Sequence, residues 1–268
     1  MAIITISRGS YGKGKEVAVQ VAEKLGYRCI AREVVLDASK EFDIPEIRLI
    51  RAIHDAPSIL ERFRGGKEKY VAFFRSALLK QLRSDNVVYH GLAGHFFLNG
   101  VKHALKVRII ADMEDRVRAE MQSKRISRED AARVLANDDE QRRKWSLHLY
   151  GIDTADPSLY DMVIHIGGIT VDNAVSLICQ VAEFDRFQTK PESRKFIEEL
   201  SLKADVRAAL IDVKPEADIS VEGTTVIVGA KIPSLLSGEQ QELVDGIKRI
   251  VESVPGVTRV AVKPHRVS

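Results

Sequence analysis

The segment Gly9-Ser10-Tyr11-Gly12-Lys13-Gly14-Lys15 stands between a strand and a helix, and this placement constrains the fold of the chain more than any other feature. Before it, residues 2–6 are β-branched and alternating, as a strand requires. After it, Glu16–Leu25 carries apolar residues at helical period and stops at Gly26. The segment itself has the spacing G-x-x-x-x-G-K. Glycines at those positions let a backbone turn tightly enough to aim its N–H groups at phosphate oxygens. The helix that follows adds partial positive charge, and Lys15 is placed to reach the outer phosphates of a nucleotide. Gly9, Ser10, Tyr11, Gly12, Lys13, Gly14, Lys15 and Glu16 are therefore the candidate nucleotide-binding residues. Glu16 stands where such loops carry a Ser or Thr hydroxyl for Mg²⁺. The competing reading of the glycines is a structural turn.

Three further strands are expected at Asn86–His90, Lys106–Ala111 and Asp161–Ile166, each followed by a helical pattern. That alternation predicts an α/β fold, a parallel sheet with helices on both faces. The long stretch from Arg32 to Asp85 reads as several helices, an insertion suited to covering a substrate. Residues 125–150 carry Arg125, Arg128, Arg133, Arg142, Arg143 and Lys144 among acidic partners. Such a stretch is either a mobile lid or a solvated helix laced with ion pairs. A looser segment at 184–193 then divides a first domain, 1–183, from a second, 194–268. The second reads as a small α+β unit in the order αββαβ: helix Arg194–Val213, strands Asp218–Glu222 and Thr225–Lys231 joined by a hairpin turn, helix Glu239–Val254, strand Thr258–Lys263. A length of 268 residues, 45% of them hydrophobic, suffices to give both domains cores.

Charge narrows the partners. The 41 Lys and Arg nearly balance the 38 Asp and Glu, so nothing in the chain marks a nucleic-acid surface. Cys29 and Cys179 stand far apart, each without a metal-spaced neighbour, and are expected to be buried thiols in a reducing compartment; no metal site is expected of them. No long apolar run predicts a membrane span, and the first residues lack a basic leader, so a cytoplasmic protein is expected.

Ile4-Thr5-Ile6-Ser7-Arg8, Gly14-Lys15-Glu16-Val17-Ala18, Lys24-Leu25-Gly26-Tyr27 and Arg32-Glu33-Val34-Val35 resemble the N-terminus of the cytidylate-kinase-like family. The likeness continues through Asn86-Val87-Val88 to Gly91, Val107–Ala111 with Glu114 and Arg116, Ile126–Ala131 and Asp139-Glu140-Gln141-Arg142. It ends on Gly151-Ile152-Asp153 and Asp156-Pro157-Ser158-Leu159-Tyr160-Asp161. The resemblance implies a P-loop phosphotransferase with ATP as donor, Mg²⁺, and CMP, dCMP or another small phosphorylated acceptor. It further implies that Gly12, Lys13, Gly14 and Lys15 cradle the donor phosphates. By the same likeness Arg142 closes from the lid onto the transferring group, assisted by Arg143, because a guanidinium suits a charge spread over three oxygens.

On the acceptor side the sequence departs from the family. Where cytidylate kinases carry Asp-Gly-Arg-Asp, this chain has His90-Gly91-Leu92-Ala93. Asp55, Ser58 and Arg62, with Arg32 at the family's Arg-Glu position and Gly91, form the expected acceptor wall. His54, His90 and His95 are each read as packed or solvated imidazoles. The C-terminal unit, through Val221–Val228 and Ser253-Val254-Pro255-Gly256-Val257-Thr258-Arg259-Val260, resembles a BON domain, which implies contact with a lipid or small ligand. Two functions stay open: a nucleoside-monophosphate-kinase-like enzyme, or a nucleotide-binding sensor that signals through the BON-like unit. Glu16, Leu92 and Ala93 favour the second.

Overall fold

The computed structural model describes residues 2–8, 13–31, 33–45, 66–91, 94–232 and 237–266. The chain divides into two compact units, one of residues 1–60 and 84–193, the other of residues 61–83 and 194–268.

In the first unit five parallel strands lie in the order β2-β3-β1-β4-β5: β1 Ile3–Arg8, β2 Arg28–Ile30, β3 Val87–His90, β4 Ala104–Ala111 and β5 Met162–Ile166. The sequence pattern predicts four of them. It passes over β2, which has three residues, one of them exposed and one half-buried, too few to show a period. Helix α1, Gly14–Leu25, presents Val17, Ala18, Val21 and Ala22 as one buried stripe. That stripe packs with Ile4 and Ile6 of β1 and with Ala174, Val175 and Ile178 of α7, Val171–Ala182. Ile3 and Thr5 point to the opposite face and are buried as well, so β1 is covered on both sides. Each fully buried isoleucine stabilises the fold by about 1.5–3 kcal/mol.

Helix α2 is Glu33–Glu41 and α4 is the short Gly94–Phe97. Gly91 and Gly94 lie hard against the Tyr89 ring, and a Cβ on either would collide with it. The charged run at 125–150 divides in two. Arg125 takes a left-handed φ of 54° and ends α5, Met113–Lys124; Ser127 then caps α6, Arg128–Tyr150, by accepting from the Asp130 N–H at 3.0 Å. Val117, Ala131 and Leu135 form the apolar seam between these two helices. In the 184–193 segment Phe187 is buried in the core and the Thr189 hydroxyl donates to Asp85 at 2.8 Å.

The second unit follows the order αββαβ with α8 Pro191–Leu210, β6 Asp218–Glu222, β7 Thr225–Ile232, α9 Ser237–Glu252 and β8 Arg259–Arg266. Helix α8 starts earlier than the sequence pattern predicts, because proline fits the first turn, where its missing N–H costs nothing. Strands β6 and β7 are antiparallel across the Gly223-Thr224 loop, where Gly223 supplies the φ of 61°; β7 and β8 are parallel. Helix α3, Gly66–Leu82, groups with this unit, and its Ser76 hydroxyl donates to Asp205 of α8 at 2.5 Å.

Candidate functional site

Strand β1 stands between β3 and β4, and the chain builds first to one side of it and then to the other. The carboxyl end of a strand at such a reversal is where open α/β sheets bind ligands. Residues 9–12 follow β1 there but lie outside the described residues. Lys13 has a left-handed φ of 63° and ψ of −1°, and α1 begins one residue later. The first helical bond runs from the Val17 N–H to the Lys13 carbonyl at 3.0 Å. Among the described residues no side chain caps this end of α1, so the N–H groups of its first turn retain their capacity for an anion. Gly14 is buried; Lys15 and Glu16 are exposed.

The Lys13 ammonium lies 3.0 Å from the Glu16 carboxylate, both well exposed. A pair of that kind is worth under about 1 kcal/mol and yields readily to a ligand. The Lys15 charge is felt at Cys29 on β2. Burial pushes that thiol up, Glu33 adds to the rise and Lys15 opposes it. Glu33 accepts from the Ala31 N–H at 2.7 Å, and this bond holds its carboxyl below the usual range.

Arg142 and Arg143 lie on α6, whose ends are both anchored. Near its start the seam with α5 holds it, and Arg116 makes a bidentate pair with Asp139 at 2.7 and 2.8 Å. At its end Tyr150 packs on Phe96 and Phe97, with ring centroids 4.9 and 5.5 Å apart. Arg142 is half-buried; burial lowers its pKa, while Asp138 and Asp139 support its charge. Arg143 is exposed, bonded to Glu140 at 3.1 Å, with Asp153 at 3.9 Å. Of the expected acceptor residues, Gly91 lies at the end of β3 against Tyr89. Arg32, Asp55, Ser58 and Arg62 lie outside the described residues.

A second group of polar side chains meets on the sheet face opposite α1. Ser7 of β1 and Arg108 of β4 are register partners and project to the same side. The Tyr160 hydroxyl sits among them, 3.3 Å from the Ser7 hydroxyl, 3.3 Å from an Arg108 Nη and 3.4 Å from His95 Nε2. It donates to the Thr154 carbonyl at 3.0 Å. From sequence His95 reads as a packed or solvated imidazole, and Ser7, Arg108 and Tyr160 stand out only as parts of family-like stretches, not as site residues. The available signal was Arg108 itself, a cation inside a strand whose neighbours Val107 and Ile109 are apolar.

Among the described residues no group of three or more His, Cys, Asp and Glu side chains is placed to hold a metal ion. None of their helices is long and apolar enough to cross a membrane.

A family model described as the cytidylate kinase-like family matches residues 3–167. A cytidylate kinase of Pyrococcus horikoshii is 39% identical over 112 residues, covering 40% of this chain and 56% of its own length. One from Thermococcus kodakarensis is 36% identical over 124 residues, covering 44% of this chain and 62% of its own. The matches thus span less than two thirds of these relatives. Among solved structures, an uncharacterized protein from Eubacterium ventriosum superposes with a TM-score of 0.53 at 18% identity, over 68% of this chain and 99% of that one, a likeness of fold.

Proposed function

The chain belongs to the cytidylate kinase-like family, and we propose that it is an ATP-dependent phosphotransferase acting on a nucleoside monophosphate of the CMP or dCMP type, or on another small phosphorylated acceptor. The observation that carries this reading is the uncapped start of α1 at the carboxyl end of the central strand, with Lys13 left-handed and Lys15 exposed beside it. Backbone N–H groups of α1 and the Lys15 ammonium bind and neutralise the donor phosphates. Arg142, with Arg143 beside it, meets the transferring group from α6 and neutralises charge that is greatest in the transition state. Mg²⁺ accompanies ATP in this chemistry, where it neutralises phosphate charge. The residues present fit it: Glu16 offers carboxylate oxygens, the ligand type Mg²⁺ prefers, and its bond to exposed Lys13 is easily surrendered. Glu16 would hold the ion in place of the usual hydroxyl.

Glu16 also favours a second reading, a sensor that binds ATP without turnover and reports through the C-terminal unit. The αββαβ order of that unit supports a BON-like module with a lipid or small ligand. ADP release measured across a panel of nucleoside monophosphates, beside ATP titrations with and without Mg²⁺, separates the two. Turnover with at least one acceptor is expected. ATP affinity or turnover should fall at least tenfold in Lys15→Ala without unfolding. Unchanged ATP binding in the folded variant would sink the phosphate-loop assignment.

A further inference from the structure

We propose that Ser7, His95, Arg108 and Tyr160 form a second anion subsite that takes the phosphoryl group of the acceptor, distinct from the donor-phosphate cradle at the start of α1. The cluster holds a cation whose donors outnumber the acceptors around it. Arg108 has five N–H donors and no acceptor capacity. Its one hydrogen bond among the described residues goes to the Tyr160 hydroxyl at 3.3 Å, and its guanidinium lies 5.6 Å from the centre of that ring. Neither Arg108 nor Lys106, on the same face of β4, makes an ion pair among the described residues. The nearby carboxylate of Asp153 is turned elsewhere, accepting from the Ala155 N–H at 2.9 Å and lying 3.9 Å from Arg143.

Tyr160 cannot make up the shortfall. Its single O–H proton goes to the Thr154 carbonyl at 3.0 Å, leaving Ser7, Arg108 and His95 around the same oxygen at 3.3, 3.3 and 3.4 Å. Those distances are at the long end of hydrogen bonding, as expected where several polar groups share one hydroxyl. His95 adds no charge. Burial, then the Arg108 and Lys106 charges, push its pKa down to about 3, so the ring is neutral, with one N–H and one acceptor nitrogen. A partly buried cation with surplus donors on several sides is complementary to a tetrahedral oxyanion. A planar carboxylate would leave part of the set unused.

Location favours a phosphomonoester. Ser7 lies one residue before the carboxyl end of β1, the sheet end after which α1 begins. An anion at Ser7 and Arg108 therefore lies toward the same end of the sheet as the start of α1, on the face that α1 leaves free. That the anion is an acceptor's phosphate rests on the phosphotransferase reading; that the cluster binds an oxyanion does not.

The full chain is titrated with inorganic phosphate, CMP, cytidine and ATP, following thermal stability and calorimetric affinity. Lys15→Ala serves as the background in which the α1 cradle is weakened. Phosphate should still bind in Lys15→Ala. Arg108→Gln should weaken phosphate and CMP at least tenfold while leaving cytidine and ATP within about twofold. Arg108→Lys should recover part of the loss. Should Arg108→Gln fail to fold, Arg108→Lys and Ser7→Ala carry the test, Ser7→Ala being expected to weaken CMP about threefold. Phosphate and CMP affinities unchanged in these variants, or no phosphate binding by the wild type, would overturn the subsite. Phosphate binding that depends on Arg108, with no turnover of any monophosphate, would keep the subsite and remove the phosphotransferase reading.

Discussion

His95 is a neutral imidazole packed between Phe96 and Tyr160, ring centroids 3.9 and 4.8 Å away, and it links the candidate site to stability. Burial first, then Arg108 and Lys106, lower its pKa from 6.5 to about 3. Between those values the unfolded chain binds a proton that the folded chain refuses. The contribution is thus fully present above pH 6.5 and is lost as the pH falls toward 3, by up to about 1.4 kcal/mol per unit. Urea midpoints measured against pH should flatten in this window for His95→Gln; parallel curves for wild type and variant would clear His95 of the effect. At the opposite end of the sheet Asp85 is buried, 3.1 Å from His103 Nε2 and accepting from Thr189. Asp85→Ala leaves both partners without their acceptor and should cost about 3 kcal/mol, read by equilibrium denaturation.

At the scale of elements, β1 and α1 were legible because their signals are local: alternation, and a helical stripe ending at Gly26. Strand β2 was not, since its place comes from pairing Arg28–Ile30 with Val87–Tyr89 rather than from any period of its own. The Ser7, His95, Arg108 and Tyr160 group was illegible for a related reason. Its members come from four segments, and only the parallel register of β1 with β4 makes neighbours of Ser7 and Arg108. Helix α6 was legible as a charged helix but not in its anchoring, because the seam through Leu135 and the Tyr150 stacking are tertiary. In the proposed reaction Arg142 acts from this helix, which is packed near its start and at its end. Arg142→Ala is therefore expected to lower turnover at least tenfold while ATP affinity stays within about threefold, and Arg142→Lys should rescue poorly for want of the planar fork. Turnover kept within about twofold would leave α6 as a solvated helix held by ion pairs such as Arg133 with Asp130.

On the scale of the whole chain, the division that sequence places at 184–193 does not account for α3. That helix precedes β3 in sequence, yet it belongs with residues 194–268. Lys69 pairs with Asp212 at 2.6 Å, Ser76 donates to Asp205, Lys80 lies 3.6 Å from Asp205, and Arg194 donates to the Arg83 carbonyl at 2.5 Å. The Asp205 side chain is only 11% exposed, so removing α3 strips a largely buried carboxylate of a hydrogen bond and a nearby cation. That loss is worth about 1–3 kcal/mol. We therefore propose that the C-terminal unit needs the helix supplied from residues 61–83. A fragment of residues 194–268 should melt at lower temperature or with less cooperativity than the same unit in the full chain. A peptide of residues 61–83 added in trans should raise its midpoint in a concentration-dependent way. In the full chain Asp205→Ala should destabilise the second unit by about 2 kcal/mol, read by hydrogen exchange of α8 and β7, and leave β1 and β4 protected as before. A fragment that melts as late and as sharply as the intact unit, with no response to the peptide, would make α3 a bystander and restore 194–268 as a self-sufficient domain.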